Sequence, residues 1–107
     1  MVESKNTFQK EVLDLVKKIP KGRITTYKEI ARALKRKGQS YRAVGRALHD
    51  NRYPIIIPCH RVVKSDGSLG GYSRGVKKKI SLLKKEGIKI NKGKIIGFKD
   101  KFYKFSK

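Results

Sequence analysis

One cysteine stands beside residues that could make it a nucleophile. Cys59 follows Pro58 and precedes His60 and Arg61, and the chain has a single cysteine. A base or cation next to a thiol favours the thiolate, which is the form of sulfur that attacks carbon. A lone cysteine is also commonly a small buried apolar residue, so both interpretations stand. Adjacent side chains in an extended segment point to opposite sides, so contact between Cys59 and His60 requires a turn or a bridging water.

Three other polar residues could serve the same chemistry, and each has an ordinary alternative. Glu86 lies in the last turn of a predicted helix, where the helix dipole disfavours an acid. It is therefore either a solvated surface residue or a functional acid. Tyr27 falls in the first turn of a predicted helix, where it could pack with its hydroxyl at the surface. Asn51 could end a helix in the left-handed conformation.

The charge of the chain indicates a polyanionic partner. Its 107 residues carry 29 Lys and Arg against 8 Asp and Glu, a formal net charge of +21. Nucleic acid is the simplest such partner, although ribosomal, membrane-surface and solubility interpretations share the signal. The length fits one domain, and a hydrophobic fraction of 37% suffices for a small core.

Several classes of protein are disfavoured. The apolar runs are shorter than the ~18–20 residues that a membrane span needs, and the N-terminus lacks an apolar signal-peptide core. With one cysteine and two histidines, the chain has no zinc-type spacing. We therefore expect a cytoplasmic monomer with no cofactor, no metal and no membrane partner.

Helical periodicity predicts elements that would position these residues. The first helix is expected over 7–18 with Thr7 as N-cap, and the second from Tyr27 to about residue 36, opened by a capping box of Thr26 and Glu29. Ser40 can cap a third helix to about residue 50. Two short helices around Gly38 predict a helix-turn-helix.

The third helix combines an inner face with small and basic residues. Its predicted inner stripe is Tyr41, Val44 and Leu48. Gly45 is costly inside a helix, and Ala43 and Ala47 add no bulk, which permits either tight helix packing or close approach to a partner. Arg42, Arg46 and His49 share another face.

The second half of the chain changes character. Residues 51–72 predict a buried loop or short strand, and a helix is expected over 76–86 with Val76, Ile80 and Leu83 inward, lysines outward and Gly87 at its end. The lysines 77, 78, 79, 84 and 85 are expected to face phosphates or solvent. After Gly87, a small hairpin and a partly ordered tail both fit the pattern.

A longer string of residues is more specific than any of these features. The run Pro58-Cys59-His60-Arg61-Val62, preceded by three isoleucines and followed by Gly71-Tyr72-Ser73, closely resembles the active-site motif of the O6-alkylguanine-DNA alkyltransferases, also called methylated-DNA–protein-cysteine methyltransferases. The likeness runs from about Phe8 to Gly87. It includes the run 42–45, Asn51 and the run 82–87.

The resemblance implies single-turnover DNA repair without a cofactor. Cys59 would accept a methyl or other alkyl group from O6 of guanine irreversibly, with O4 of thymine left open as a second target. His60 would activate the sulfur through a water, Glu86 would orient His60, and Asn51 would brace the turn. The substrate site would include the Tyr27 hydroxyl toward guanine N3, the backbone at Ser73 toward O6, the carbonyls of Cys59 and Val62 toward the exocyclic amine, and Tyr72.

The resemblance also implies how duplex DNA would be bound. The third helix would enter the minor groove through Ala43, Gly45, Arg46 and Ala47, and Arg42 would replace the flipped nucleotide in the duplex. The implied fold is mainly α: a winged-helix-like helix-turn-helix domain with a few short strands. We expect one catalytic and DNA-binding domain over 1–107, matching the family over about 8–87, with a basic C-terminal tail (88–107) and without the family's N-terminal domain.

Two rival functions remain open from the sequence. An alkyltransferase-like protein binds alkylated guanine without accepting the group, but its reactive cysteine is replaced, commonly by tryptophan, and this chain has Cys59 and no tryptophan. An ordinary helix-turn-helix regulator would explain the charge and the paired helices, but gives no reason for Cys59, His60 and Glu86 together. We expect the repair protein in the cytoplasm, associated with the nucleoid, or in the nucleus of a eukaryote.

Overall fold

The computed structural model describes residues 3–34, 41–49, 57–72 and 74–105. These residues form a mainly α fold with a few short strands, as predicted. The α-helices are α1 (Glu3–Val16), α2 (Tyr27–Leu34), α3 (Tyr41–His49), α4 (Val76–Lys85) and α5 (Phe98–Lys101), and the strands are β1 (Thr25–Thr26), β2 (Val62–Val63), β3 (Ile90–Asn91) and β4 (Lys94–Ile95). In the described ranges, none of the helices has the length and apolar character to span a membrane.

Helix α1 begins earlier than its apolar pattern predicts. It starts at Glu3, so the expected N-cap, Thr7, lies inside the helix, and it ends at Val16, two residues short of the predicted end. The apolar period marks only the stretch that is buried, whereas helix-favouring Glu and Lys residues extend the helix beyond it. Val12 and Val16 are fully buried.

Helix α2 begins as predicted. The Thr26 hydroxyl accepts a hydrogen bond from the Glu29 backbone N–H at 3.0 Å, which is one half of the capping box. The Glu29 carboxylate is committed elsewhere: it accepts from Arg32 at 2.8 and 2.7 Å and from the Phe105 backbone N–H at 2.8 Å. Residues 35–40, with the expected end of this helix, Gly38 and Ser40, lie outside the described residues.

Helix α3 packs against α1 and α2 through part of the predicted stripe. Val44 is fully buried and Leu48 is 5% exposed. The inward assignment of Tyr41 is wrong, because this residue opens the helix and its ring is 45% exposed. The Lys28 ammonium lies 5.6 Å from the centre of that ring.

Helix α4 ends with the glycine that the sequence predicts. Gly87 has φ +88° and donates to the Lys84 carbonyl at 3.0 Å, while Ile88 donates to Leu83 at 3.0 Å. This pair of bonds closes the helix C-terminus. At its other end the inward assignment of Val76 is wrong, since this first residue of the helix is 45% exposed.

The segment after Gly87 folds back onto the domain. Strands β3 and β4 form an antiparallel hairpin, which is one of the two possibilities left open by the sequence. Further on, Ile24 and Phe102 form a parallel bridge beside β1, and Phe105 is buried in the same core cluster as Val12 and Val16. Residues 88–105 are therefore part of the packed structure.

Candidate active site

A single 3₁₀ turn, Cys59–Arg61, carries the cysteine and the histidine. The Cys59 N–H donates to the Ile57 carbonyl at 2.8 Å, and the Arg61 N–H donates to the Pro58 carbonyl at 3.0 Å. The chain then enters β2, which pairs in parallel with β1. This provides the turn that contact between neighbouring side chains requires. Cys59 and His60 are both buried.

Cys59 contributes to the wall of a cavity of about 500 Å³. This volume falls within the range of roughly 300–1,000 Å³ that is typical of small-molecule sites. One wall comes from α3 through Tyr41, Gly45, Leu48 and His49. The opposite wall is the segment after β2, which we call the rim loop (residues 64–72), and Tyr27 and Lys28 from the start of α2 lie between them.

A buried acid holds His60 on one side. The Nε2 atom of His60 lies 2.9 Å from Oε2 of Glu86, the residue that caps α4. Arg61 donates to both oxygens of the same carboxylate, at 2.9 and 2.7 Å, and donates to the Ile19 carbonyl at 2.8 Å. The Arg61 guanidinium offsets the unfavourable position of an acid at a helix C-terminus.

The surroundings lower the pKa values of both His60 and Glu86. Burial lowers the pKa of His60 below its ordinary value, and the hydrogen bond to Glu86, which acts in the opposite direction, does not cancel this effect. Burial alone would raise the pKa of Glu86, but hydrogen bonds from Arg61 and His60 outweigh it and hold the pKa below its ordinary value. Near neutral pH the pair is therefore a neutral imidazole beside a carboxylate.

The ionised state of Glu86 fixes the tautomer of His60. A carboxylate only accepts hydrogen bonds, so Nε2 carries the imidazole proton and Nδ1 carries the lone pair. Within the part of the chain that the structure describes, this buried Nδ1 has no hydrogen-bond partner. The basic nitrogen of His60 is thus available for a proton, on the turn that also carries Cys59.

Tyr27 lies against the rim loop and remains a hydrogen-bond donor. Burial, aided by the nearby Cys59, raises the pKa of Tyr27 to about 12. A Cβ atom on Gly70 would stand 2.9 Å from the Tyr27 hydroxyl oxygen, and Gly70 has φ +73°. Any side chain at position 70 would therefore meet both backbone strain and the phenol.

Lys79 corrects the expectation that it faces phosphate or solvent. It is fully buried, and its ammonium donates to the carbonyls of Val62, Leu69 and Gly71, at 2.7, 2.5 and 3.0 Å. Burial lowers its pKa to about 8, and the nearby Cys59 acts in the opposite direction. Lys79 thus ties the rim loop to the end of β2.

The predicted DNA-binding residues divide between surface and core. Arg42 and Arg46 are exposed on α3, and Ala43 is half-buried. Ala47 is only 6% exposed and belongs to the core cluster, so it lies on the packed face of the helix. At Gly45 a Cβ atom would lie 3.9 Å from the Tyr27 ring, which is ordinary packing distance.

The predicted substrate-binding residues are only partly brought together. Tyr72 lines the cavity, and its ring meets the His60 ring edge-on at a centroid distance of 6.4 Å. Val62 is fully buried away from the lining, and its carbonyl accepts from Lys79 at 2.7 Å. Asn51 and Ser73 lie outside the described residues. In the described ranges, no cluster of three His, Cys, Asp or Glu side chains could hold a metal ion.

Two residues of this site were not assigned from the sequence. Arg61 was considered only as a cation near sulfur, because its carboxylate partner lies 25 positions along the chain. Lys79 did leave a signal: it stands four residues before the buried Leu83, a spacing that places both on one face of α4.

Comparisons with known proteins agree with this geometry. The profile of the family described as "6-O-methylguanine DNA methyltransferase, DNA binding domain" matches residues 7–88. The methylated-DNA–protein-cysteine methyltransferase of Methanothermobacter thermautotrophicus is 48% identical over 83 residues, which are 78% of this chain and 46% of the relative. The chain therefore spans about half the length of the curated relatives it matches.

Two solved structures resemble the fold. O6-methylguanine-DNA methyltransferase of Pyrococcus kodakaraensis matches with a TM-score of 0.68 and 45% identity, covering 76% of this chain and 46% of that one. S. pombe Atl1, in complex with damaged DNA containing O6-carboxymethylguanine, matches with a TM-score of 0.81 and 30% identity, covering 92% and 96%. With the motif around Cys59, the cavity and these matches, the chain belongs to the family of 6-O-methylguanine DNA methyltransferase DNA-binding domains.

Proposed function

We propose that this protein repairs DNA by moving an alkyl group from O6 of guanine to Cys59 in one irreversible turnover. The observation that carries the proposal is the position of Cys59, which lines the cavity on the same turn as His60, whose ring lies 2.9 Å from the buried Glu86 carboxylate. The methyltransferase names of the relatives support it. The same chemistry at O4 of thymine is a further candidate.

The proton of the Cys59 thiol goes to His60. Since Glu86 holds the Nε2–H of His60, the lone pair on Nδ1 takes the proton, through one intervening water. Glu86 then stabilises the imidazolium by its charge. Arg61 keeps Glu86 ionised and in place.

The transfer forms one bond and breaks one bond. The sulfur of Cys59 attacks the saturated carbon attached to O6, a carbon–sulfur bond forms, and the carbon–O6 bond breaks. The electron pair stays on the guanine, which leaves as an anion until it is protonated. The Tyr27 hydroxyl, protonated at neutral pH because its pKa is about 12, donates to the base and stabilises that charge.

DNA reaches the cavity by extrusion of the damaged nucleotide. A buried thiol cannot contact O6 of a stacked base, so the nucleotide must flip out. The exposed Arg42 follows Tyr41, which lines the cavity, so Arg42 is suited to fill the gap left in the duplex. Duplex DNA containing O6-alkylguanine is thus the proposed partner of a monomer acting at the nucleoid, or in the nucleus.

A second candidate is lesion binding without transfer. It is favoured by the match to S. pombe Atl1, whose TM-score of 0.81 is higher than the 0.68 of the P. kodakaraensis methyltransferase. Cys59 and its His60–Glu86 pair argue for transfer, since binding alone gives them no role. A transcriptional regulator would need no cavity lined by a cysteine.

The DNA product separates these functions. A duplex with one O6-methylguanine is mixed with limiting protein, and the nucleosides are quantified after digestion. We expect one guanine restored for each active protein molecule, with no further loss of lesion on longer incubation. A lesion-specific band shift with no loss of O6-methylguanine would establish binding alone, and binding indifferent to the lesion would indicate a regulator.

A further inference from the structure

The hairpin of β3 and β4 lies just beyond residues 7–88, the part matched by the family profile, and is fastened to the rim loop. The Ile95 N–H donates to the Gly67 carbonyl at 2.9 Å, and the Leu69 N–H donates to the Gly93 carbonyl at 3.2 Å. Ser68 and Lys94 form an antiparallel bridge. Bridged residues lie about 5 Å apart, so the hairpin is a direct extension of one wall of the cavity.

The two faces of this hairpin differ in chemistry. Ile95 is 7% exposed and packs in a core cluster with Leu69 and Ile88. Lys94 precedes Ile95 in the strand and is exposed, as alternation requires, and Lys92 is exposed at the tip with φ +53°. The inner face therefore anchors the hairpin, while the outer face presents ammonium groups.

The charge of Lys94 acts at the mouth of the cavity. Asp66 lines the cavity, and its pKa is lowered first by hydrogen bonds from Ser68 and further by Lys94 and Lys64. Among the described residues that line the cavity, Asp66 is the one acid, and cations from the hairpin and the rim loop counter its charge. An anionic DNA backbone can approach this side of the mouth without facing an isolated carboxylate.

The path of the damaged strand follows from the walls of the cavity. For a flipped nucleotide to enter, its flanking phosphates must pass between α3 and the rim loop. Phosphates on the α3 side can meet Arg42 and Arg46. On the opposite side, the exposed cations are Lys64 of the rim loop itself and Lys92 and Lys94 of the hairpin fastened to it.

We propose that Lys92 and Lys94 form a wing that binds DNA phosphates next to the flipped nucleotide. This inference rests on the proposed function for the position of the DNA, and it assigns a partner to two lysines of a chain whose formal net charge is +21. Two contacts of this kind position the duplex and carry no information about the lesion.

The test is the salt dependence of duplex binding by the double variant Lys92→Asn/Lys94→Gln. Asparagine is chosen at position 92 because it tolerates a positive φ. The matched control is Lys17→Gln/Lys18→Gln, which removes the same charge from exposed residues just after α1 that do not line the cavity. Every variant also carries Cys59→Ser to prevent reaction, and thermal melting verifies folding.

Each phosphate contact contributes about −0.9 to the slope of log affinity against log salt. We expect the wing variant to have a slope shallower by about 2, equally on methylated and unmethylated duplex, and the control to keep the parent slope. A Lys92→Arg/Lys94→Arg variant should also keep the parent slope, which separates charge from folding.

Three outcomes are distinct. Equal slopes for the wing and control variants would overturn the wing, even if transfer to Cys59 proceeds. Loss of affinity by the arginine variant as well would also overturn it, since the charges are then not what binds. Absence of duplex binding by the parent protein would instead refute the proposed function.

Discussion

His60 is the residue at which pH should control the reaction. It faces Glu86, and the charges of Arg61 and Lys79 also act on it; burial and these two cations lower its pKa, against the effect of Glu86. Only neutral His60 can accept the thiol proton. The rate of transfer from O6-alkylguanine base should therefore decline as pH falls, with the midpoint of the decline below pH 6.5.

Glu86→Gln provides the matching variant for this pH profile. We expect it to lower the plateau on both the base and the duplex, and to move the acidic decline further down, because Glu86 is the group that raises the pKa of His60. Asp66→Asn, which removes an acid without contact to His60, is the control. An acidic decline centred at or above pH 6.5 in the parent protein would contradict the role of His60 as base.

At this scale the sequence predicted which residues would meet better than how each one is held. The motif predicts Cys59 as the nucleophile, and the structure brings its predicted partners His60 and Glu86 within hydrogen-bond distance of each other. The two oxygens of Glu86 are shared with Arg61, and Lys79 is buried by three carbonyls, because contacts between distant segments decide burial. Lysines are rarely buried, so Lys79 was expected at the surface although its spacing to Leu83 places it on the inner face of α4.

A substitution on helix α3 should affect DNA binding and nucleotide flipping without affecting the alkyl-transfer step. Arg42→Ala removes an exposed side chain that does not line the cavity, so it should slow transfer from duplex far more than transfer from O6-alkylguanine base. Single-turnover rates on the two substrates provide the comparison, and Lys18→Ala, at an exposed cation outside α3 and outside the cavity lining, is the control. Equal losses on both substrates would mean that Arg42 is a structural residue.

The C-terminal segment should contribute to stability as an element of the core. Phe105 is 4% exposed, its ring meets Tyr103 edge-on, and its backbone bonds to Glu29 and Arg32. Phe105→Ala should lower the free energy of unfolding by about 3–5 kcal/mol, measured by urea denaturation. Lys104→Ala, at an exposed neighbour, should cost less than about 0.5 kcal/mol. A loss below about 1 kcal/mol for Phe105→Ala would show that the segment is not anchored.

The helix ends that could be predicted from the sequence are those fixed by neighbouring residues. The Thr26 cap and the Gly87 end were predictable, because each rests on residues within five positions of it. The exposure of Tyr41 and Val76, and the return of residues 101–105 beside β1, depend on which surfaces meet in the folded chain. Helical periodicity does not show whether the first residue of a helix reaches beyond the elements that the helix packs against, as Tyr41 and Val76 do.

For the whole molecule, the charge of +21 should govern search rather than recognition. About 4–6 neutralised phosphates give a log–log salt slope of roughly −4 to −5 on duplex DNA. With Cys59→Ser protein, methylated and unmethylated duplexes should give nearly parallel lines displaced in affinity, because a flipped base is read by hydrogen bonds and packing. A flat dependence on salt would assign the lysines to solubility alone.

The central claim is that Cys59 keeps the alkyl group. Purified protein is incubated with an excess of duplex containing O6-methylguanine, its intact mass is measured over time, and the modified peptide is sequenced by mass spectrometry, with Cys59→Ser as control. We predict a gain of one methyl group per molecule, mapped to Cys59, and no gain in the Cys59→Ser protein. An unchanged mass while the lesion disappears, or a methyl group mapped to another residue, would contradict the mechanism.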